Sequence, residues 1–340
     1  MVGVTATPSR TLRYKVLMLI VLVIIVAWSI LWFCAATVLE RQADRLQHAA
    51  IADGAIVHCL NRTIGGYPFQ IEMRCHDGSR LGTEQGSVTL GGLVATALVY
   101  RPNRIIMEAR GPAVYESEST GKIAADWELA HASARIDLSS AAVTRFDAEV
   151  KGGTLTAGSL PPIKLSELFV NARQNPASSR DLDLALRVTG LDPAPGVDTT
   201  SLSVRGTLRG GAALLAGDPN AVAQLAAADG LTFRLDEAML GSGPMQVAAS
   251  GELSLGQDGH LNGKLDVALA GYDKGVPYVT VFAPDVQDTI TTLLGNLLMF
   301  APKTTIGDRP ARRLTLMVED GRVSAGIVPL FRLPPVAVQL

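Results

Sequence analysis

The strongest constraint in this sequence is an uncharged stretch near the N-terminus, from Val16 to Val38. As a helix, its roughly 23 residues would extend about 34 Å, enough to cross the ~30 Å hydrocarbon layer of a membrane. Arg10, Arg13 and Lys15 precede it. Basic residues favour the cytoplasmic side, so we expect residues 1–15 to stay in the cytoplasm and the remainder to be exported.

A cleaved signal peptide is the alternative, since Cys34-Ala35-Ala36 offers small residues at a plausible cleavage spacing. The apolar core of a signal peptide usually has about 7–15 residues, and this stretch is longer, which favours a retained anchor. Trp28 and Trp32 are expected toward the outer interface, where indole rings settle. The predicted location is the inner membrane, crossed once, with most of the chain in the periplasm.

The order of segments then follows from composition. Residues 16–38 form the transmembrane anchor, and residues 39–53 are good helix formers that predict a helical stalk. Residues 54–340 are predicted to form an exported β-rich domain, with two lobes divided near 190–220 as one option. The net charge is −2, so there is no basic excess for nucleic acid, and none is expected as a partner.

Beyond the stalk, apolar and polar residues alternate in short segments with turn residues between them, which predicts antiparallel strands. We therefore expect a mainly β (β-rich α+β) fold: the transmembrane helix, then a curved antiparallel meander with a few packed helices. Two such helices are predicted, at 218–228 and at 285–299. The second carries an apolar stripe, and either covers the core or closes a groove as a lid.

The clearest strand places Leu182, Leu184, Leu186 and Val188 on one face. One-faced strands must bury that face, and the chain has few helices to cover it. Because large rings usually fill a β interior, the aromatic content of 5% leaves room for an apolar groove that takes an acyl chain. A closed, filled sandwich is the alternative.

Two exported cysteines, Cys59 and Cys75, form an even pair in an oxidising compartment. Residues 55–60 and 70–75 read as the two arms of one hairpin, which a Cys59–Cys75 disulfide would join; two reduced thiols are the alternative. A zinc site with His58 and His76 is disfavoured, because neighbouring strand residues point to opposite faces. We expect no metal, no cofactor and no catalytic residue, since no nucleophile elbow, phosphate loop or dinucleotide motif occurs.

The hairpin turn contains Gly65, Gly66, Tyr67, Pro68 and Phe69. The glycines permit a positive φ and Pro68 fixes the next bend. Tyr67 and Phe69 then form an aromatic pair, which either clamps the turn onto the sheet or contacts a ligand.

The stretch Cys59-x2-Arg62-Thr63-Ile64-Gly65-Gly66-Tyr67-Pro68-Phe69-Gln70-Ile71-Glu72-x-Arg74-Cys75 resembles the signature of the domain of unknown function 2125 family. The resemblance is specific over residues 14–80 and looser over 230–335. It implies one N-terminal helix, the clipped hairpin and a β-rich remainder. More distantly, the chain resembles AsmA-like β-groove envelope proteins, which implies a link with lipid movement or outer-membrane assembly.

Together these observations favour a non-enzymatic protein that binds or guides a hydrophobic envelope component such as lipid. The expected partners are the membrane lipid bilayer, and lipid or envelope proteins. A structural protein that recruits envelope partners is the alternative, and a hydrolase comes third.

Overall fold

The fold is described by a computed structural model of the chain. It describes residues 10–52, 56–76, 78–83, 86–117, 121–140, 142–158, 161–192, 198–216, 230–272 and 297–335.

A single long helix, α1, runs from Arg10 to Ala52. Its stretch from Tyr14 to Arg45 is long and apolar enough to cross a membrane. The side chains from Val16 to Val26 are exposed, as lipid-facing residues of a membrane helix would be. The apolar stretch and the polar residues after it therefore belong to one continuous helix.

Within the ranges that the structure describes, nineteen strands follow and belong to one sheet. The first nine are β1 (Ile56–Cys59), β2 (Arg62–Gly65), β3 (Gln70–Cys75), β4 (Ser79–Thr83), β5 (Gly86–Leu98), β6 (Arg101–Ser117), β7 (Gly121–Asp126), β8 (Leu129–Ile136) and β9 (Val143–Ala157). The others are β10 (Ile163–Gln174), β11 (Leu182–Leu191), β12 (Thr200–Leu208), β13 (Leu231–Ser242), β14 (Met245–Leu255), β15 (Leu261–Ala270), β16 (Lys303–Ile306), β17 (Arg309–Glu319), β18 (Arg322–Ala325) and β19 (Val328–Arg332).

The strand pairings are antiparallel, and from β8 to β15 each strand pairs with the next along the chain. This confirms the predicted antiparallel meander. Strand β17 extends it from β15, then β18 and β19 follow. The sheet is continuous from β11 to β13, because β12 pairs with β11 on one side and β13 on the other.

The predicted set of a few packed helices is not confirmed. The described residues contain α1, the short 3-10 helix η1 (Gly211–Ala216) and one helical turn at 297–300. The helix predicted at 218–228 lies outside the described residues. So does most of the helix predicted at 285–299, of which only the last residues are described; Leu298 there is fully buried.

The Cys59–Cys75 disulfide is confirmed, with the two Cα atoms 5.2 Å apart. The predicted hairpin is wrong for one of its two arms, because β1 does not pair with β3. Strand β1 pairs with β4, and Cys59 lies opposite Ser79; β3 instead pairs with β2, and Cys75 lies opposite Arg62. The disulfide therefore joins two neighbouring strand pairs that share β5 as a common partner.

We expect the disulfide to stabilise the part of the sheet next to α1. Replacing both cysteines by alanine should lower the free energy of unfolding by about 3 kcal/mol, because the open loop regains conformational entropy. Urea unfolding of the detergent-solubilised full chain measures this. Cys34→Ala serves as the control, since Cys34 is exposed on α1 and free. Alkylation of the native, non-reduced protein at Cys59 or Cys75 would contradict the bridge.

Candidate functional site

The turn between β2 and β3 is attached to α1 by two tryptophans. The indole N–H of Trp28 donates to the carbonyl oxygen of Pro68 at 2.8 Å, and that of Trp32 donates to the carbonyl oxygen of Gln70 at 2.8 Å. Trp32 is only 5% exposed, although it belongs to the apolar stretch. A buried indole needs a partner for its N–H, and the turn backbone supplies one.

Tyr67 completes this junction. Its hydroxyl shares a 2.8 Å hydrogen bond with Ser29, and its ring lies 5.6 Å from the Trp32 ring and 6.0 Å from the Phe33 ring. Tyr67 therefore packs against the helix. Phe69, the other half of the predicted aromatic pair, remains 63% exposed.

Gly66 allows this turn to be tight. Its φ is +96°, and an added Cβ would lie 2.7 Å from Gln70 Cγ and 2.8 Å from the Gln70 carbonyl oxygen. Glycine is the residue that adopts this conformation without a steric cost. Gly65, its neighbour, is not among the glycines with a positive φ.

Strand β2 and its turn run beside α1 in the opposite direction. Arg62, at the start of β2, pairs with Asp44 of the helix, whereas Pro68 meets Trp28. Sixteen helical residues cover about 24 Å and six extended residues about 20 Å, so the two segments match in length. The tip of the turn is therefore level with the apolar stretch of α1.

An apolar row crosses the sheet from β2 to β17. The row consists of residues directly opposite one another on thirteen successive strands: Ile64, Met73, Ala95, Met107, Ala132, Ala148, Val170, Leu186, Val204, Ala238, Ala249, Val267 and Leu314. Residues directly opposite in a sheet point to the same face. We call the face that bears this row the apolar face.

A second row on the apolar face lies beside the first. It comprises Cys75, Leu93, Ala109, Ala130, Val150, Leu168, Val188, Leu202, Leu240, Val247 and Leu269. In the first row every residue is half-buried, and none is fully buried. A filled sandwich would bury the centre of this face completely.

The four residues predicted to line a groove lie on this face. Their partners on β10 and β12 are apolar too, apart from Gln174 opposite Leu182 and Gly206 opposite Leu184. Leu182 is 3% exposed, whereas Leu184, Leu186 and Val188 are half-buried. Sequence reasoning missed most of the remaining members of the rows, although the period-two alternation in β8 and β10 was a signal for them.

The opposite face, which we call the outer face, carries charged side chains. Many are paired: Arg173 with Asp183 at 3.1 Å, and His131 with Glu149 at 3.0 Å. Others are Glu72–Arg74, Arg145–Asp147, Lys151–Glu149, Arg205–Glu237, Arg209–Glu252 and Arg234–Asp236. The sheet therefore separates a solvated side from an apolar side.

Asp147, on the outer face, accepts hydrogen bonds from two side chains. Arg145 donates to it at 2.8 and 3.0 Å, and the Asn171 amide donates at 2.5 Å. The hydrogen bond from Arg145 lowers the pKa of Asp147 most; Asn171 and the charges of Arg145 and Arg104 lower it further, against burial, which raises it.

Metal-binding chemistry finds no support in the described ranges, where no group of three or more histidine, cysteine or acidic residues could hold an ion. Cys59 and Cys75 are joined to each other, so neither offers a thiolate. His76 shares a 2.8 Å hydrogen bond with Thr63. The zinc alternative around this turn is thereby ruled out for the two sulfurs.

This architecture defines a class of protein: one N-terminal apolar helix, docked onto an antiparallel sheet with one apolar face. The chain belongs to a family described as an uncharacterized protein conserved in bacteria (DUF2125), whose model matches residues 32–334. No curated protein and no solved structure matches the chain. The similarity to AsmA-like proteins is not shown by these comparisons and remains a prediction.

We expect Trp32→Phe to loosen the turn from the helix. The change removes the hydrogen bond to Gln70 and leaves that carbonyl oxygen without its indole donor, at a cost of about 1 kcal/mol. Faster hydrogen exchange at the Gln70 and Val99 amides, which bond to Gly66 and Phe69, would report it.

Trp127→Phe is the matched control, since its indole N–H donates to the Ala109 carbonyl oxygen within the sheet. It should destabilise the protein by a similar amount without changing exchange at Gln70. Equal exchange at Gln70 in both variants would contradict the junction.

Asp147 should contribute to stability in a pH-dependent manner. Its folded pKa lies below the ordinary 3.8, so its interactions stabilise the fold above pH 3.8 and are lost as the pH falls through the lowered pKa. Asp147→Asn should therefore flatten the acid limb of the stability curve, measured by unfolding at a series of pH values. Asp308→Asn, at an exposed turn residue, should leave that limb unchanged; an unchanged limb in Asp147→Asn would contradict this role.

Proposed function

We propose that this protein is a non-enzymatic, single-pass protein of the inner membrane whose periplasmic sheet binds or guides a hydrophobic envelope component such as lipid. The observation that carries the proposal is the apolar row, which stays in register from β2 to β17.

A retained anchor is supported by the junction. Trp28, Ser29, Trp32 and Phe33 all contact the β2–β3 turn. Cleavage after the small residues that follow Cys34 would remove every one of these contacts and leave the turn without its support. Residues that precede the cleavage point thus have a structural role in the exported domain, which a signal peptide would not need.

A path for lipid is supported by the position of the row. It begins at Ile64 and Met73, on the two strands joined by the turn that meets Trp28. Twelve strand spacings of about 4.8 Å give a length near 58 Å, nearly twice the ~30 Å hydrocarbon layer. A face of this length suits movement along it better than storage of one acyl chain.

The composition of the row also suits an apolar ligand. Five of its thirteen residues are alanine, and the described part of the row contains no aromatic ring. Small side chains leave space above the sheet. An apolar surface of this extent is unfavourable in water unless something covers it, and an acyl chain is a suitable cover.

We expect charged substitutions on the apolar face to expel bound lipid. Leu186→Glu would place a carboxylate in the centre of the row, where burying it beside an acyl chain costs several kcal/mol. Lipid that copurifies with the full chain, counted by mass spectrometry after extraction, should fall severalfold. Leu184→Glu, one position nearer the edge, should act in the same direction.

Ala185→Glu provides the matched control, because Ala185 lies on the same strand, is half-buried as well and points to the outer face. It should keep its lipid. Folding is checked by circular dichroism and by urea unfolding of each variant. Equal lipid in all three variants while they remain folded would contradict the proposal, and unfolding of Leu184→Glu and Leu186→Glu alone would indicate a closed core.

A further inference from the structure

The turns that follow β5, β8 and β10 lie at the same end of the strands as the tip at Pro68. Antiparallel pairing places the start of β3 opposite the end of β5, the start of β6 opposite the end of β8, and the start of β9 opposite the end of β10. The Val99 amide also donates to the Phe69 carbonyl oxygen at 3.0 Å, which joins the turn after β5 to this tip. We call this border, from β3 to β10, the proximal edge.

Large apolar side chains project from the proximal edge. Phe69 is 63% exposed, Tyr100 62% and Leu138 65%. Each belongs to a different turn. Aromatic and apolar side chains of this kind settle at the interface between lipid headgroups and acyl chains. Their turns span roughly 14 Å across β3, β5, β6 and β8, so one flat surface can contact all three.

Four arginines form one cross-strand row on the outer face, at the strand ends next to these turns. Arg104, Arg135, Arg145 and Arg173 are directly opposite one another on β6, β8, β9 and β10. Like charges directly opposite destabilise a sheet. Arg145 and Arg173 are compensated by Asp147 and Asp183, but Arg104 and Arg135 have no ion-pair partner among the described residues.

The proximal edge as a whole is positively charged. Segments 99–104, 135–147 and 173–183 contain six arginines and four aspartates, and no lysine or glutamate. Two of the aspartates are engaged locally: Asp137 by Ser139 and Ser140, and Asp181 by the Gly210 amide. The excess is two positive charges, and Arg104 and Arg135 are among the exposed arginines that contribute to it.

We propose that the proximal edge is a second membrane contact. Phe69, Tyr100 and Leu138 enter the outer surface of the membrane that α1 crosses, and the Arg104–Arg135 pair binds the phosphates of acidic lipid headgroups. Headgroup phosphates would add to the charge of Asp147, which already acts on Arg104, in offsetting the repulsion between the two guanidinium groups. The proposal requires α1 to span the membrane but does not require lipid to move along the apolar face.

The position of the edge favours the membrane over free phosphate as the source of these anions. The tip at Pro68 is already held beside Trp28, at the level of the apolar stretch. The arginine row lies within about 24 Å of it, counted as five strand spacings. A helix that crosses the bilayer thus keeps the edge within reach of the headgroups at all times.

Photo-crosslinking of the full chain in vesicles tests the contact. Benzoylphenylalanine replaces Tyr100 or Leu138, and in the control it replaces Ile327, a turn residue that is 99% exposed. The vesicles contain phosphatidylcholine alone or with phosphatidylglycerol, and mass spectrometry counts the attached lipid. Labels at 100 and 138 should capture lipid severalfold more often than the label at 327.

The charge contribution is tested in the same vesicles. Each arginine near an acidic surface contributes a factor of about five, so Arg104→Gln with Arg135→Gln should reduce the enrichment of captured phosphatidylglycerol about 30-fold. The control is Arg322→Gln with Arg332→Gln, a cross-strand arginine pair at the far end of the sheet. It should leave the enrichment unchanged.

Three results would overturn the proposal. The first is lipid capture at 100 and 138 that does not exceed capture at 327. The second is an acidic-lipid enrichment that the Arg104 and Arg135 changes leave intact. The third is loss of that enrichment on addition of inorganic phosphate but not of chloride at equal ionic strength, which would identify a site for free phosphate. None of these results bears on lipid retention by the apolar face, which Leu186→Glu and Ala185→Glu report.

Discussion

The register of cross-strand pairing is the constraint on which the rest of this structure depends. Successive side chains of a strand point to opposite faces, so a slip of one residue in any strand would exchange its two faces. On β11 such a slip would replace Leu186 with Ala185 or Arg187 in the apolar row and turn Leu184 outward. The row exists because thirteen strands keep one register relation with their neighbours.

A bulge in β13 shows how this register is maintained where the alternation fails. Leu235 lies opposite Gly251 and Ala238 lies opposite Ala249, so β13 has one residue more than β14 between these pairs. The extra residue restores the face of Ala238 and Leu240, which a strict period of two would have turned outward. Asp236, within the bulge, pairs with Arg234 on the outer face. The bulge therefore keeps the apolar row continuous.

The sheet and the long N-terminal helix meet at the junction with α1. A membrane helix normally presents its apolar residues to lipid, yet Trp32 is buried under the β2–β3 turn and both indole N–H groups are used to hold that turn. The apolar row begins on the two strands that this turn joins, and the proximal edge begins at the tip of the turn. The first hairpin orients the sheet relative to α1. It therefore connects the helix with both the apolar face and the arginine row.

Much of the local structure could be predicted from the residues alone. Alternation identified β11, and the cysteine pair predicted the disulfide correctly. The partner of β1 could not be predicted, because residues 55–60 and 70–75 are close in sequence and a direct hairpin was the simplest arrangement. Strands β5 and β6 pair with neighbours on both sides, and such pairing extends a strand beyond what its own residues favour.

The sequence by itself determined the apolar span, the cysteine pair and the face on which each strand carries its leucines, because these depend on composition or on a period of two within one segment. Only the tertiary structure decided that Ile64 and Leu314 belong to one row, and that Arg104, Arg135, Arg145 and Arg173 lie side by side. The physical reason is that a β-sheet forms its hydrogen bonds between segments. Which residues face each other is set by strand pairing, and no local pattern records it.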